Sequence, residues 1–282
     1  MKKFFKSEKL TRFLYGILSF VLSGLIIVFS MLAMVRFTVF SSSFLSDVLN
    51  DSQYYTDLCD EMTDDMVDIG NASGLDKSFF DDFVDEVMVR QDVQAYIESF
   101  YKGDKLTVDT TNFEKALRTA LNTYQKENGI DKSKVSKDSI NYFVEETSKI
   151  YSDNIEITYF SAIQKTVTKW APKLLMYTVI LGVAVLVILV FIFFTNKWKH
   201  LAIKYFYYAT SSSGLFILIV PTVLLASGLL QKVAILNRSL NDLYTAFINT
   251  ILTDMYIIGG ILVVLSVILV VIHNQLRKKA MG

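Results

Sequence analysis

Four stretches of this chain are too long and too apolar to be ordinary soluble helices. Residues 13–35 contain no charge, and the same holds for residues 174–194, 209–230 and 255–272. A helix rises about 1.5 Å per residue and a bilayer core is about 30 Å thick, so each run has the length to span, the last with help from its flanks. The chain is 52% hydrophobic, yet 20% of it is charged, too much for a bundle of spans alone. The expected fold is therefore all-α. A four-helix transmembrane bundle carries an all-α extracytoplasmic domain inserted between spans 1 and 2.

The flanks orient the spans. Lys2, Lys3, Lys6, Lys9 and Arg12 precede span 1, Lys197, Lys199 and Lys204 lie between spans 2 and 3, and Arg277, Lys278 and Lys279 follow span 4. Basic flanks stay cytoplasmic. This makes residues 1–12, 195–208 and 273–282 cytoplasmic, and residues 36–173 and 231–254 extracytoplasmic. The first run exceeds the usual signal-peptide core of about 7–15 residues and no A-x-A-like site follows it, so it reads as an uncleaved anchor. The expected location is the cell membrane, multi-pass, with both termini inside.

The large loop is acidic, with fourteen bases against twenty-five acids between Phe37 and Lys173. Such a balance excludes nucleic-acid binding, which needs concentrated positive charge. Apolar residues recur there at intervals of three and four. Leu45 to Ile69 reads as one long amphipathic helix. Further stripes follow at Phe79–Met88, Val93–Tyr101, Phe113–Tyr124, Ile140–Tyr151 and Ile155–Trp170. Ser73 with Asp76, and Thr111 with Glu114, have the spacing of helix caps. Asp131 to Ser139 reads as a polar loop, Lys105 to Asp109 hints at a short strand, and Pro172 allows a bend before span 2. Residues 233–251 keep helical spacing, and are expected to pack on the large domain or to extend span 4.

Few residues here support chemistry. The single Cys59 excludes a disulfide framework. His200 and His273 both fall at the cytoplasmic edge, so the large domain lacks the imidazole that nucleophilic pairs and most zinc sites need. Adjacent carboxylates such as Asp64-Asp65, Asp81-Asp82, Asp85-Glu86 and Glu145-Glu146 point about 100° apart on a helix and face no common substrate. No phosphate-binding glycine loop is present. No Asp, Glu, Lys, Arg or His lies within the four runs, which weakens a proton-coupled transporter. No cofactor, metal site or catalytic residue is expected.

The remaining candidate is an acidic cluster. Asp57, Asp60, Glu61, Asp64, Asp65 and Asp68 crowd one helix with no base nearby. They form either a solvated face or an interaction face for a basic partner or cation, although the order at Asp68-Ile69-Gly70 is not that of a calcium loop. Small residues at Gly16, Ser19, Ser23 and Gly24, at Gly214 and Ala226–Gly228, and at Gly259-Gly260 suit close helix packing, inside one bundle or with another subunit.

The segments Asp51-Ser-Gln-Tyr-Tyr55, Ser73-Gly-Leu-Asp76 and Tyr96-Ile-Glu-Ser-Phe-Tyr101-Lys-Gly103, in a Lys-, Asp-, Asn- and Tyr-rich chain, resemble uncharacterised four-span membrane proteins of low-GC Gram-positive bacteria with a large first extracytoplasmic loop. That resemblance implies no activity. The layout is also similar to MacB/FtsX-type permeases, though here the stretch between spans 2 and 3 is short. Claudin-like proteins share it too, without their paired cysteines here. The expected function is thus a non-catalytic envelope protein whose acidic domain is an interaction or sensing module. The alternative is a permease or accessory transport subunit energised by a separate protein. The expected partners are the lipid bilayer and another envelope or membrane protein, or a second copy of the chain.

Overall fold

The computed structural model describes residues 8–81, 83–130, 136–157, 159–233 and 235–281. Lys2, Lys3, Lys6, Asp82 and most of the polar loop after Gly129 lie outside these residues. All regular structure among the described residues is helical. The chain divides into two compact units. One comprises Met1–Phe40, Trp170–Ala234 and Ile248–Gly282; the other comprises Ser41–Lys169 and Ile235–Phe247.

Among the described residues, four helices are long and apolar enough to cross a membrane: α1 (Glu8–Phe37), α8 (Phe160–Thr195), α9 (Lys199–Ser227) and α10 (Arg238–Met281). This is the architecture of a multi-pass membrane protein. Helices α1, α8 and α10 extend beyond the uncharged runs at both ends, whereas α9 begins ten residues before its run of 209–230 and stops at Ser227, where Gly228 takes a left-handed conformation. Only Asn196–Trp198 separate α8 from α9. Large apolar side chains point outward, with Phe20, Leu186 and Phe194 each more than 60% exposed. So much exposed apolar surface suits lipid and not water.

Two small residues of α1, Ser19 and Ser23, meet α9. Ser19 Oγ donates to the Tyr205 carbonyl at 2.7 Å, and Ser23 and Ser212 share a hydrogen bond of 2.7 Å. Ser213 Oγ donates back to the Ser23 carbonyl at 3.0 Å. Leu22 packs beside these with Ala202 and Ala209, and Tyr15 lies 5.5 Å from Tyr205 between ring centroids. Small side chains let the backbones approach, and the hydroxyls find partners where water is scarce. Gly214 of α9 and Gly259 of α10 serve the same end. A Cβ on Gly214 would lie 2.9 Å from Val263 Cγ2 and 3.0 Å from the Gly259 carbonyl oxygen.

The second unit contains α2 (Ser42–Asp51), α3 (Tyr54–Ala72), α4 (Lys77–Asp81), α5 (Glu86–Lys102), α6 (Thr111–Glu127) and α7 (Lys137–Ile155). The start of α8 and the first turns of α10 complete it. Helix α3 is central and packs on α2, α4, α5 and α7. Tyr54, Met62, Met66, Phe80, Ile97 and Phe113 are fully or almost fully buried. Phe113 stacks on Tyr151 at 4.1 Å, and the Tyr151 hydroxyl donates to Asp92 at 2.5 Å. Gly70 is required by the approach of α4, since a Cβ there would meet the Phe80 ring at 2.3 Å.

The structure corrects several sequence expectations. The long first helix is two helices. Ser52 ends α2 with its N–H on the Val48 carbonyl, and its Oγ accepts from the Tyr54 N–H that begins α3. Such local side-chain bonding competes with helix continuation. The second stripe is likewise split. Phe79 and Phe80 belong to α4, while Val87 and Met88 belong to α5, capped by Asp85. Ser73 closes α3 and begins no helix; Asp76 is the residue whose carboxylate accepts from the Phe79 N–H. The cap of α6 lies earlier than expected, with Asp109 accepting from the Thr111 N–H and Thr110 Oγ1 bonded to Glu114. Lys105–Asp109 forms no strand, and Lys137–Ser139 belongs to α7 instead of a loop. Ile155 ends α7, so the sixth stripe starts its helix at Phe160, and α8 passes through Pro172 without a break.

Replacing Gly214 with alanine is expected to cost about 1–3 kcal/mol by overpacking the α9–α10 contact. Gly24→Ala, with nothing within 4 Å of the new methyl, is expected to be neutral. Thermal unfolding of both variants in the same detergent checks this.

Candidate interaction site

The six acids singled out from the sequence all lie on α3, but they do not form one open face. Asp57 is only 1% exposed and Glu61 is half-buried. Asp64 pairs with Lys77 at 2.9 Å in the open, and Asp65 accepts from Asn154 at 3.0 Å. Exposed pairs of this kind contribute little. Asp60 and Asp68 are exposed.

Asp57 and Glu61 hold the start of α10. The Glu61 carboxylate accepts from the N–H of Arg238 at 2.6 Å, from the N–H of Ser239 at 3.3 Å and from Ser239 Oγ at 2.5 Å. The first N–H groups of a helix have no partner within it, and its N-terminus carries partial positive charge. A carboxylate from α3 satisfies both needs. One turn away on α3, Asp57 Oδ1 pairs with the Arg238 guanidinium at 2.7 Å. Leu240, Leu243 and Phe247 then pack into the unit's core, where Phe247 lies edge-on to Phe44 at 5.6 Å. From Arg238 onward the segment packs on the domain and continues into α10, but the helix expected from Val233 begins only at Arg238.

Asp57 is unusual. Its Oδ2 is buried without a hydrogen-bond donor. Burial pushes Asp57 above the usual carboxylate range, Asp242 adds to this, and Arg238 opposes it. Sequence reading placed none of Arg238, Ser239 and Asp242 at a site. Ser239 with Asp242 does have capping-box spacing, and that was the available signal.

A groove lies elsewhere on the unit. Its volume is about 840 Å³, and it is walled by the end of α3, the turn at Ser73–Leu75, α6 and α7. Leu75, Leu121 and Phe143 give it apolar walls. Asp68, Asp138 and Glu146 give it acidic groups, and no lysine or arginine lines it among the described residues. Tyr142, 65% exposed, stands at its edge. Of the six sequence candidates, only Asp68 reaches this groove.

Other chemistry is sparse. Among the described residues no three His, Cys, Asp or Glu side chains group to hold a metal ion. Burial, aided by Glu86 and Asp60, pushes the Cys59 thiol up to about 12, so the thiolate nucleophile is suppressed at neutral pH. No protein-family model, curated protein or solved structure matches the chain.

Glu61→Ala removes the acceptor for two backbone donors and one hydroxyl. It is expected to destabilise the α10 docking by about 1–2 kcal/mol. Limited proteolysis should then cut within residues 235–247 faster than in the parent, with sites in α6 unaffected.

Proposed function

We propose that this is a non-catalytic multi-pass protein of the bacterial cell envelope, whose helical unit lies outside the membrane as an interaction module. The observation that carries the reading is the acid-lined apolar groove. Its size falls within the range of about 300–1,000 Å³ in which proteins hold small ligands or anchor side chains. Its chemistry suits a cationic amphipathic peptide segment, with apolar residues against Leu121 and Phe143 and basic residues near Asp68, Asp138 and Glu146. The bilayer is the second partner, met by the four apolar helices. Basic flanks on the short connections support the outside placement of the unit. The three-residue link between α8 and α9 offers little surface to an ATPase, so transport is the weaker reading.

Binding is tested with a fluorescein-labelled amphipathic Leu/Lys peptide and the full chain in nanodiscs of neutral lipid. Solvated charge pairs contribute about 0.5 kcal/mol each, so neutralising Asp68, Asp138 and Glu146 together should weaken binding about tenfold. Neutralising the exposed Asp47, Asp51 and Asp153 instead should leave it unchanged. Equal loss in both variants would reduce the groove to unspecific attraction.

Orientation is tested at Cys59. On wall-stripped cells an impermeant maleimide should label it slowly until mild denaturant opens α3, because the thiol is partly buried and protonated. Labelling that appears only after lysis would place the unit inside.

A further inference from the structure

The four long helices leave a cavity between them that their serine and glycine contacts do not fill. Its volume is about 550 Å³, and every one of the four contributes to its wall, with Leu22 from α1, Leu189 from α8, Phe206 from α9 and Leu265 from α10. Apart from Ser30 and Thr210, each residue that lines it is apolar. Thr210 Oγ1 donates back to the Phe206 carbonyl at 3.1 Å. Such a cavity gives water too few partners to stay. In a bilayer its natural occupant is hydrocarbon.

Depth and charge narrow the choice. On α8 the lining runs from Val185 to Phe194, about 14 Å along a helix and close to half of a bilayer core of about 30 Å. That is the depth of one leaflet, and therefore of one acyl chain. The deep end is closed by Phe29, whose ring lies against Gly182, where an added Cβ would be 3.1 Å from it. The shallow end meets the short link between α8 and α9, where three lysines rest on aromatic rings. Lys199 Nζ lies 4.3 Å from the Phe193 centroid, Lys204 Nζ 5.6 Å from that of Tyr208 and Lys197 Nζ 5.9 Å from that of Trp198. Lysines and amphipathic rings belong at headgroup level. No acid occurs in the sequence between Glu156 and Asp242, so this end of the bundle has a positive excess.

Lys199 joins the two features. Its Nζ donates to the Phe193 carbonyl at 2.7 Å, and the Phe193 side chain walls the cavity. An ammonium has three donors and the carbonyl takes one. We propose that the cavity is a lipid site that holds one acyl chain of an anionic phospholipid, with Lys199 at its mouth on the phosphate. The site rests on the bilayer as a partner and is independent of the groove on the helical unit. The chain supplies packing between α8 and its neighbours that side chains alone leave out.

The test uses the full chain in phosphatidylcholine nanodiscs with a trace of phosphatidylglycerol that carries a photoreactive diazirine in one acyl chain. Mass spectrometry locates the adducts. They should concentrate on cavity residues such as Leu189 and Leu265, and unlabelled phosphatidylglycerol should displace them where added phosphatidylcholine does not. A lysine near a membrane surface contributes about fivefold to the binding of an anionic lipid, so Lys199→Gln should lower the cavity adducts by about that factor. Leu189→Trp, which fills the space, should abolish them. Adducts in the parent spread evenly over outward residues such as Phe20, Leu186 and Val264 would keep the bilayer as partner and overturn the site, whether or not either variant folds. Equal displacement by both lipids would overturn it too. A complete lack of adducts would overturn the site and the bilayer reading together.

Discussion

The helical unit is closed by a carboxylate meeting a helix N-terminus. Helix α10 begins with backbone N–H groups that no residue of its own can satisfy, and Glu61 accepts from two of them across 177 residues of sequence. The ion pair of Asp57 with Arg238 adds a second tie to α3 one turn away. The apolar contacts of Leu240, Leu243 and Phe247 depend on that register, because a slip of one residue would rotate them about 100° away from the core. The acidic character of α3 therefore has a structural cause on one side and an open face on the other. Asp57 and Glu61 serve the first, while Asp60 and Asp68 belong to the second.

The membrane unit obeys a different constraint. Apolar burial gives little drive where lipid is as apolar as the side chains, so helices associate through close packing and shared hydroxyls. Ser19, Ser23, Ser212 and Ser213 supply hydroxyls between α1 and α9, and Gly214 with Gly259 supplies space between α9 and α10. A Cβ added at Gly16 or Gly24 of α1 would meet nothing within 4 Å, so this contact does not require a glycine at either position.

Much of this was legible in the sequence. Uncharged runs of span length announce themselves, and amphipathic stripes at Val93–Tyr101 and Phe113–Tyr124 correspond to α5 and α6. Helix ends were harder to read, because capping is decided by single hydrogen bonds. Ser52 and Asp76 intervene where periodicity alone carries on smoothly. The acidic site was half legible. A run of acids marks a helix as special, but not which of them turn inward. That choice depends on Arg238 and Ser239, which are remote in sequence and come near only through folding. The groove was not legible as a site, since its residues come from three helices and none carries a motif.

The central claim is that the acid-lined groove on an outward-facing helical unit is where this protein meets its partner. The most direct measurement places a photo-crosslinking residue at Tyr142 in intact cells and maps the adducts by mass spectrometry. The account predicts adducts to basic, amphipathic segments of extracytoplasmic proteins, lost when Asp68, Asp138 and Glu146 are neutralised. Adducts to cytoplasmic proteins, or adducts indifferent to those three residues, would contradict it.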